Sequence, residues 1–88
     1  MKIESDPKKA ATNLKKHSVS FKEAQTCLLD PHALVREDPD AKGEARFVLT
    51  GMSSKARLLT IIYALPDEDS IRLISARQST TKEAQSYA

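Results

Sequence analysis

The spacing of apolar residues changes character about a third of the way along the chain. Ala10, Leu14 and His17 recur at intervals of four and three, with Lys8 and Lys15 roughly opposite, which is the pattern of an amphipathic helix. Asp6 followed by Pro7 supplies an N-cap carboxylate and a proline at the first helical position, so the helix starts there and ends near His17. A second helix follows almost at once. Ser20 and Glu23 have capping-box spacing, Val19 and Ala24 occupy the positions of a hydrophobic staple, and Phe21, Ala24 and Leu28 form the apolar stripe up to Asp30-Pro31.

Beyond Pro31 the period falls to two. "ALVRE", "EARFVLTGM", "RLLTIIYAL" and "SIRLISAR" read as strands, with "SSKA" and "PDEDS" as the polar turns that make hairpins of the last three. Thr80 and Glu83 form another capping box, for a C-terminal helix of about two turns that must dock to be stable. The expected fold is α+β. An N-terminal helical hairpin packs on a mainly antiparallel sheet of about four strands, with a short C-terminal helix, and residues 1–88 form a single domain.

The turns suggest a register. Setting Met52 opposite Ala56 places Phe47 opposite Ile61 and Leu49 opposite Leu59; setting Leu65 opposite Asp69 places Ile61 opposite Leu73 and Arg57 opposite Arg77. One face then carries Phe47, Leu49, Leu59, Ile61, Tyr63, Ile71 and Leu73 toward the helices. Arg77, five residues beyond Arg72, falls on that same face, whereas Arg46 and Arg72 flank Ile62 on a mixed one.

Composition narrows the class. The chain has 88 residues, 40% hydrophobic and 30% charged, enough for one core. Cys27 is the only cysteine, which excludes an internal disulfide and a multi-cysteine zinc cluster. Charges occupy the stretch where a signal peptide needs an apolar run, and "LLTIIYAL" is too short to span a bilayer, so a cytoplasmic location with no membrane partner is expected. The net charge is only +2, but it is sorted: Lys8, Lys9, Lys15, Lys16 and Lys22 lie in an acid-free segment, while Glu37, Asp38, Asp40 and Glu44 cluster before the first long strand. The lysines form either a solvated helix face or a surface for phosphate or an acidic protein.

The candidate chemistry centres on arginine. Two like charges opposite each other destabilise a sheet by up to about 1 kcal/mol, a penalty relieved by an anion between them. Arg57 and Arg77 are therefore a candidate phosphate clamp. The alternative for each arginine is a carboxylate partner, Glu83 or Asp30 for Arg57, or a stem laid over apolar neighbours. His17 is the imidazole beside the lysines, either a proton-transfer group or a packing and capping residue of the interhelical turn. His32 has no constellation around it. Tyr87, one helical turn after Glu83, either brings a hydroxyl near Arg77 or packs along its helix. No metal-ligand cluster, glycine-rich phosphate loop or Ser/His/Asp arrangement is visible in the sequence, and no cofactor is implied.

The chain resembles the BrnT family of bacterial type II toxins, whose fold is similar to RelE-type ribonucleases. Three blocks carry the resemblance: "SDPKKAATNLKKHSVSFKEA", "RFVLTGMSSKARLLTIIYAL" and "IRLISARQSTTKEAQSY", with "NLKKH", "SF.EA" and "ISAR" the most specific pieces. The resemblance implies a metal-independent endoribonuclease that slows translation and growth until neutralised by a BrnA-like ribbon-helix-helix antitoxin. Toxin and antitoxin together form a hetero-oligomer that reaches operator DNA through the antitoxin alone. It further implies site residues at His17 and Lys15 from "NLKKH", Arg57 from "ARLL", Arg77 from "ISAR" and Tyr87 near the C-terminus. The placement of charge makes Arg46, Arg72, Lys8 and Lys16 the expected RNA-binding residues. This chain has Ser5 where the family usually has tryptophan, Ser18 and Ala56 where it has glycine, and Ala84 and Gln85 where it has basic residues. Those departures motivate an alternative, a non-catalytic interaction module or degenerate toxin acting as antitoxin partner and corepressor.

Overall fold

A computed structural model of the chain describes residues 2–41 and 43–87. The order of elements is β1 (Lys2–Glu4), α1 (Pro7–His17), α2 (Phe21–Cys27), β2 (Leu34–Glu37), β3 (Arg46–Met52), β4 (Leu58–Asp67), β5 (Ser70–Gln78) and α3 (Thr81–Ser86). The strands form one sheet in the order β1-β5-β4-β3-β2, parallel only between β1 and β5. The α+β architecture is as expected, with five strands rather than four. "KIE" is too short to show a two-residue period, and β1 exists because β5 offers it an edge.

Local signals act where the sequence puts them. The Asp6 carboxylate accepts from Lys8 N at 2.9 Å to cap α1, and Thr80 and Glu83 complete a reciprocal capping box on α3. Ser20 caps α2, but the Glu23 side chain does not return to its own helix start as a box requires; it turns to Arg57 and Ser53. The stripe of α1 also differs from expectation. Leu14 is 52% exposed, and the residue buried in its place is Asn13.

The core lies between α1–α2 and one face of the sheet, called inner here. Val19, Phe21, Ala24 and Cys27 pack there against Leu49, Leu59, Ile61, Tyr63 and Leu73, with Phe47 and Ile71 at the margin. Leu59, Ile61 and Leu73 are almost wholly buried, each contributing roughly 1.5–3 kcal/mol by removal from water. All seven expected inner-face residues belong to this core or pack against it.

The register differs. Ser53 N donates to Arg57 O at 2.8 Å, closing a three-residue loop in which Ala56 takes φ 59°, so Met52 pairs with Leu58, Leu49 with Ile61 and Phe47 with Tyr63. This is two residues from the expected alignment, and an even shift keeps every side chain on its face. Between β4 and β5 the change is odd. Ile62 pairs with Ser75 and Tyr63 with Leu73, so Ile74 is a bulge, and beyond it Ala76 takes the inner face while Arg77, opposite Thr60, turns outward. Arg77 therefore does not share the face of Leu73, and Arg57 does not face Arg77. Arg46 and Arg72 both pair with Ala64, not Ile62.

Asn13 explains how α1 is seated. Beyond Glu4 the strand β1 stops, leaving the backbone of β5 open, and the Asn13 amide fills the gap as a strand would. Its Nδ2 donates to Ala76 O (2.8 Å) and Val19 O (2.9 Å), while its Oδ1 accepts from Ala76 N (3.0 Å). No helix among the described residues is long and apolar enough to cross a membrane.

Two stability changes follow. Asn13→Ala leaves buried backbone groups unpaired and is expected to cost roughly 2–4 kcal/mol in chemical denaturation. Ala56→Gly, relieving a left-handed conformation in an exposed loop, is expected to raise stability by about 1 kcal/mol, read as a higher melting temperature.

Candidate functional site

Seating α1 along β5 leaves a cleft of about 370 Å³ between them, lined by Lys8, Lys9, Thr12, Lys16, His17 and Ser75 among others. Lys8, Thr12 and Lys16 stand on successive turns of one helix row. None of these lysines makes an ion pair among the described residues, so the cleft is cationic and open to an anion. His17 is half-buried at the C-terminal end of α1, where Ser18 at φ 57° turns the chain toward α2. Lys15 is exposed and does not line the cleft.

The bulge at Ile74 gives the cleft a second consequence. Ser75 and Arg77 are alternate residues on the outward face, so Arg77 follows the cleft residue Ser75 along β5 without lining the cleft itself. Its Nη1 and Nη2 donate to Glu83 Oε1 (2.7 Å) and Oε2 (2.9 Å). That pairing with Arg77 holds the Glu83 carboxyl down, from its ordinary value of 4.5 to about 2.

Arg57 lies on the other side of the sheet. Its Nε donates to Glu23 Oε2 at 3.0 Å, its Nη2 to Glu23 Oε1 and, at 3.3 Å, to the Ser18 carbonyl. Ser53 Oγ donates a further 2.7 Å bond to Glu23. The side chain of Glu23 is 2% exposed, that of Glu83 22%. The side-by-side arrangement of Arg57 and Arg77 is thus absent: each guanidinium grips its own carboxylate, on opposite faces. Arg57 pairs with Glu23, not with Glu83 or Asp30.

Tyr87 is at the end of α3, where its hydroxyl donates to Asp30 Oδ2 at 2.6 Å, away from Arg77's carboxylate partner. The same Asp30 carboxylate accepts from Met52 N and His32 N. Bonding to Asp30 pushes the phenol pKa up, so Tyr87 stays protonated at neutral pH. Arg46, half-buried with its Nε unpartnered, begins β3 beside the acidic Glu37, Asp38 and Glu44, while Arg72 pairs with Glu4 and Glu44. Neither lines the lysine cleft.

Of the expected residues, then, the fold gathers Lys8, Lys16 and His17, places Arg77 two residues beyond Ser75 with its head on Glu83, and leaves Lys15, Arg57, Tyr87, Arg46 and Arg72 elsewhere. Lys9 and Ser75 join the cleft without having been singled out. Lys9 was readable as part of the lysine run, but Ser75 carried no signal because only the bulge turns it outward. Chemically, the cleft offers fixed cations and one imidazole. Glu23, Asp30 and Glu83 have lowered pKa values through their partners and are weak bases. No group of three or more His, Cys, Asp or Glu side chains among the described residues is placed to hold a metal ion.

Comparison with known proteins is consistent with this architecture. A family model described as ribonuclease toxin, BrnT, of type II toxin-antitoxin system matches residues 6–83. Among solved structures, the chain is similar to the Brucella abortus ribonuclease toxin BrnT. The two are 24% identical with a TM-score of 0.71, over 92% of this chain and 99% of that one, a likeness of fold. No curated protein matches the chain.

The Arg77–Glu83 pair sets an acid dependence. A carboxyl whose folded pKa lies below its unfolded one contributes stability that is complete above about pH 5 and lost as pH falls toward 2. Denaturation of the protein and of Glu83→Gln is expected to differ most at neutral pH and to converge near pH 2. A gap unchanged across that range would show that the ion pair does not stabilise the fold.

Proposed function

This chain belongs to the BrnT family of ribonuclease toxins of type II toxin-antitoxin systems, and from that premise we propose that it cleaves RNA by gripping the backbone in the cleft between α1 and β5. Membership also implies an antitoxin partner. We read that partner as a BrnA-like ribbon-helix-helix protein that neutralises the toxin in a hetero-oligomer in the cytoplasm. Cleavage would slow translation and growth until the antitoxin binds.

The observation that carries the reading is the unpaired lysine row beside His17 and the outward-turned Arg77. A phosphodiester in the cleft meets Lys8, Lys9 and Lys16 as point charges that neutralise its backbone. The 2′-oxygen attacks the adjacent phosphorus and the 5′-oxygen departs, leaving a 2′,3′-cyclic phosphate and a 5′-hydroxyl. Negative charge grows on the non-bridging oxygens of the pentavalent phosphorus, where Arg77 stabilises it. His17 is the group suited to move the proton, since imidazole exchanges protons near neutrality while a guanidinium does not. Arg77 must release Glu83 and turn toward the cleft to reach phosphate, a movement aided by the partial exposure of both side chains, 38% and 22%. Arg57 keeps its buried Glu23 and acts as a positioning residue, tying α2 and the Ser18 carbonyl to the end of the turn that follows His17. Lys15 and Tyr87 take no part in the step, and Arg46 and Arg72 no part in the grip.

A second reading draws on the same ion pairs. With both arginines already neutralised by carboxylates, the chain serves as a non-catalytic antitoxin partner and corepressor, and its lysine row is a solvated helix face.

The test is cleavage of RNA by antitoxin-free protein in the presence of EDTA. His17→Ala and Arg77→Ala are each expected to lower kcat by about a hundredfold or more, the usual worth of a proton-transfer group or a charge stabiliser. Lys8→Ala and Lys16→Ala should instead raise KM and each reduce the salt dependence of binding by about 0.7 in log-log slope, the single-strand value. Arg57→Ala should lower the melting temperature while the folded protein retains kcat within several-fold. Equal cleavage by the wild type and a His17→Ala, Arg77→Ala double variant removes the assigned site; an inert wild type favours the second reading.

A further inference from the structure

The two edges of the sheet are treated differently. At one edge β1 is only three residues long, and the rest of β5 is closed by Asn13. At the other edge every residue of β2 is exposed, with Leu34 42% and Val35 51% accessible, and no proline or bulge interrupts the strand. An edge left in this state is a template for pairing.

The ladder shows which groups are free. Asp38 N donates to Arg46 O at 2.9 Å, so residues 38, 36 and 34 exchange hydrogen bonds with β3, and the N–H and C=O of Val35 and Glu37 point away from the sheet. For two copies related by a two-fold axis, outward residues must meet outward residues, which leaves five alignments. With Ala33 or Glu37 on the axis, Val35 meets Pro31 or Pro39, neither of which has an N–H. With Arg36 on the axis, two like charges are opposed in the close, non-hydrogen-bonded position. With Leu34 on the axis, Glu37 meets Pro31, which has no N–H. With Val35 on the axis, Val35 meets Val35 and exchanges two hydrogen bonds, Leu34 lies against the stem of Arg36, and each Glu37 N–H reaches the second copy's Ala33 carbonyl. The Ala33 N–H is already engaged with Asp30 O at 3.1 Å.

We propose that β2 pairs antiparallel with β2 of a second copy about Val35, joining two sheets into one of ten strands. The occupant is a second copy because this edge is complementary to itself: valine meets valine, leucine meets the arginine stem, and no like charges oppose. The lysine clefts stand at the far edges, so both remain open in the pair. The inference is independent of whether the chain cuts RNA.

So short an interface belongs at the weak end, with half-association at about 0.1–1 mM protein. Sedimentation equilibrium of the antitoxin-free chain should show a mass rising with concentration from 9.7 kDa toward its double. Val35→Pro removes an N–H that bonds nothing within the chain, so it should abolish association while circular dichroism stays that of the folded protein. Leu29→Ser changes an 82% exposed leucine outside the edge and should leave association unchanged. Val35→Cys should form an interchain disulfide under oxidation, since paired Cα atoms about 5.5 Å apart are within disulfide reach, and Glu37→Cys should not; Cys27, fully buried, does not compete. A chain monomeric at about 1 mM, or crosslinking at Glu37 in preference to Val35, overturns the proposal. Amides of Val35 and Glu37 protected from exchange only when antitoxin is added would assign the edge to that partner instead.

Discussion

One side-chain amide holds the arrangement together. Asn13 meets both the N–H and the C=O of Ala76, which is what a neighbouring strand would do, and adds a bond to Val19 that closes the turn between the helices. A buried amide is costly unless its donors and acceptor are satisfied, and here the partners are backbone groups that would be orphaned without it. The bond therefore selects one position for α1 along β5. Lysines eight residues apart on that helix, Lys8 and Lys16, face the cleft because of it.

Charge at the site is governed by how firmly each arginine is held. Glu23 is almost wholly buried and is shared by Arg57 and Ser53, so releasing Arg57 strands a carboxylate in a low-dielectric interior. Glu83 sits on a six-residue helix with no buried residue, and its ion pair is open to water. Screening and competing anions act on the second pair far more than on the first. Two guanidiniums of similar appearance in the chain thus differ in what they can exchange, and the difference lies in their partners.

Two further residues bear on the same region. Ser18 and Ala56 adopt left-handed backbone conformations, the only non-glycine residues to do so among those described. Ser18 offers its carbonyl to Arg57, and Ala56 precedes Arg57 in the hairpin loop. The backbone path is kept without glycine's freedom, at a cost of about 1–2 kcal/mol each for an L-residue in that conformation.

The sequence by itself determined the helices, their N-cap residues, the four longer strands and the seven apolar residues of the inner face that precede the β5 bulge. These depend on neighbours within about four positions, or on the face a side chain takes, and the two-residue error in the β3–β4 alignment left faces untouched. The lysine run and His17 were legible for the same reason, lying within one helix. Tertiary structure alone decided the rest. Whether β5 bulges at Ile74, whether Asn13 or Leu14 turns inward, and whether Glu23 closes a cap or grips Arg57 are settled by contacts between segments distant in the chain. A single extra residue in a strand reverses every side chain beyond it, and that is why Arg77, expected among the core residues beside Arg57, stands on the opposite face with a carboxylate of its own.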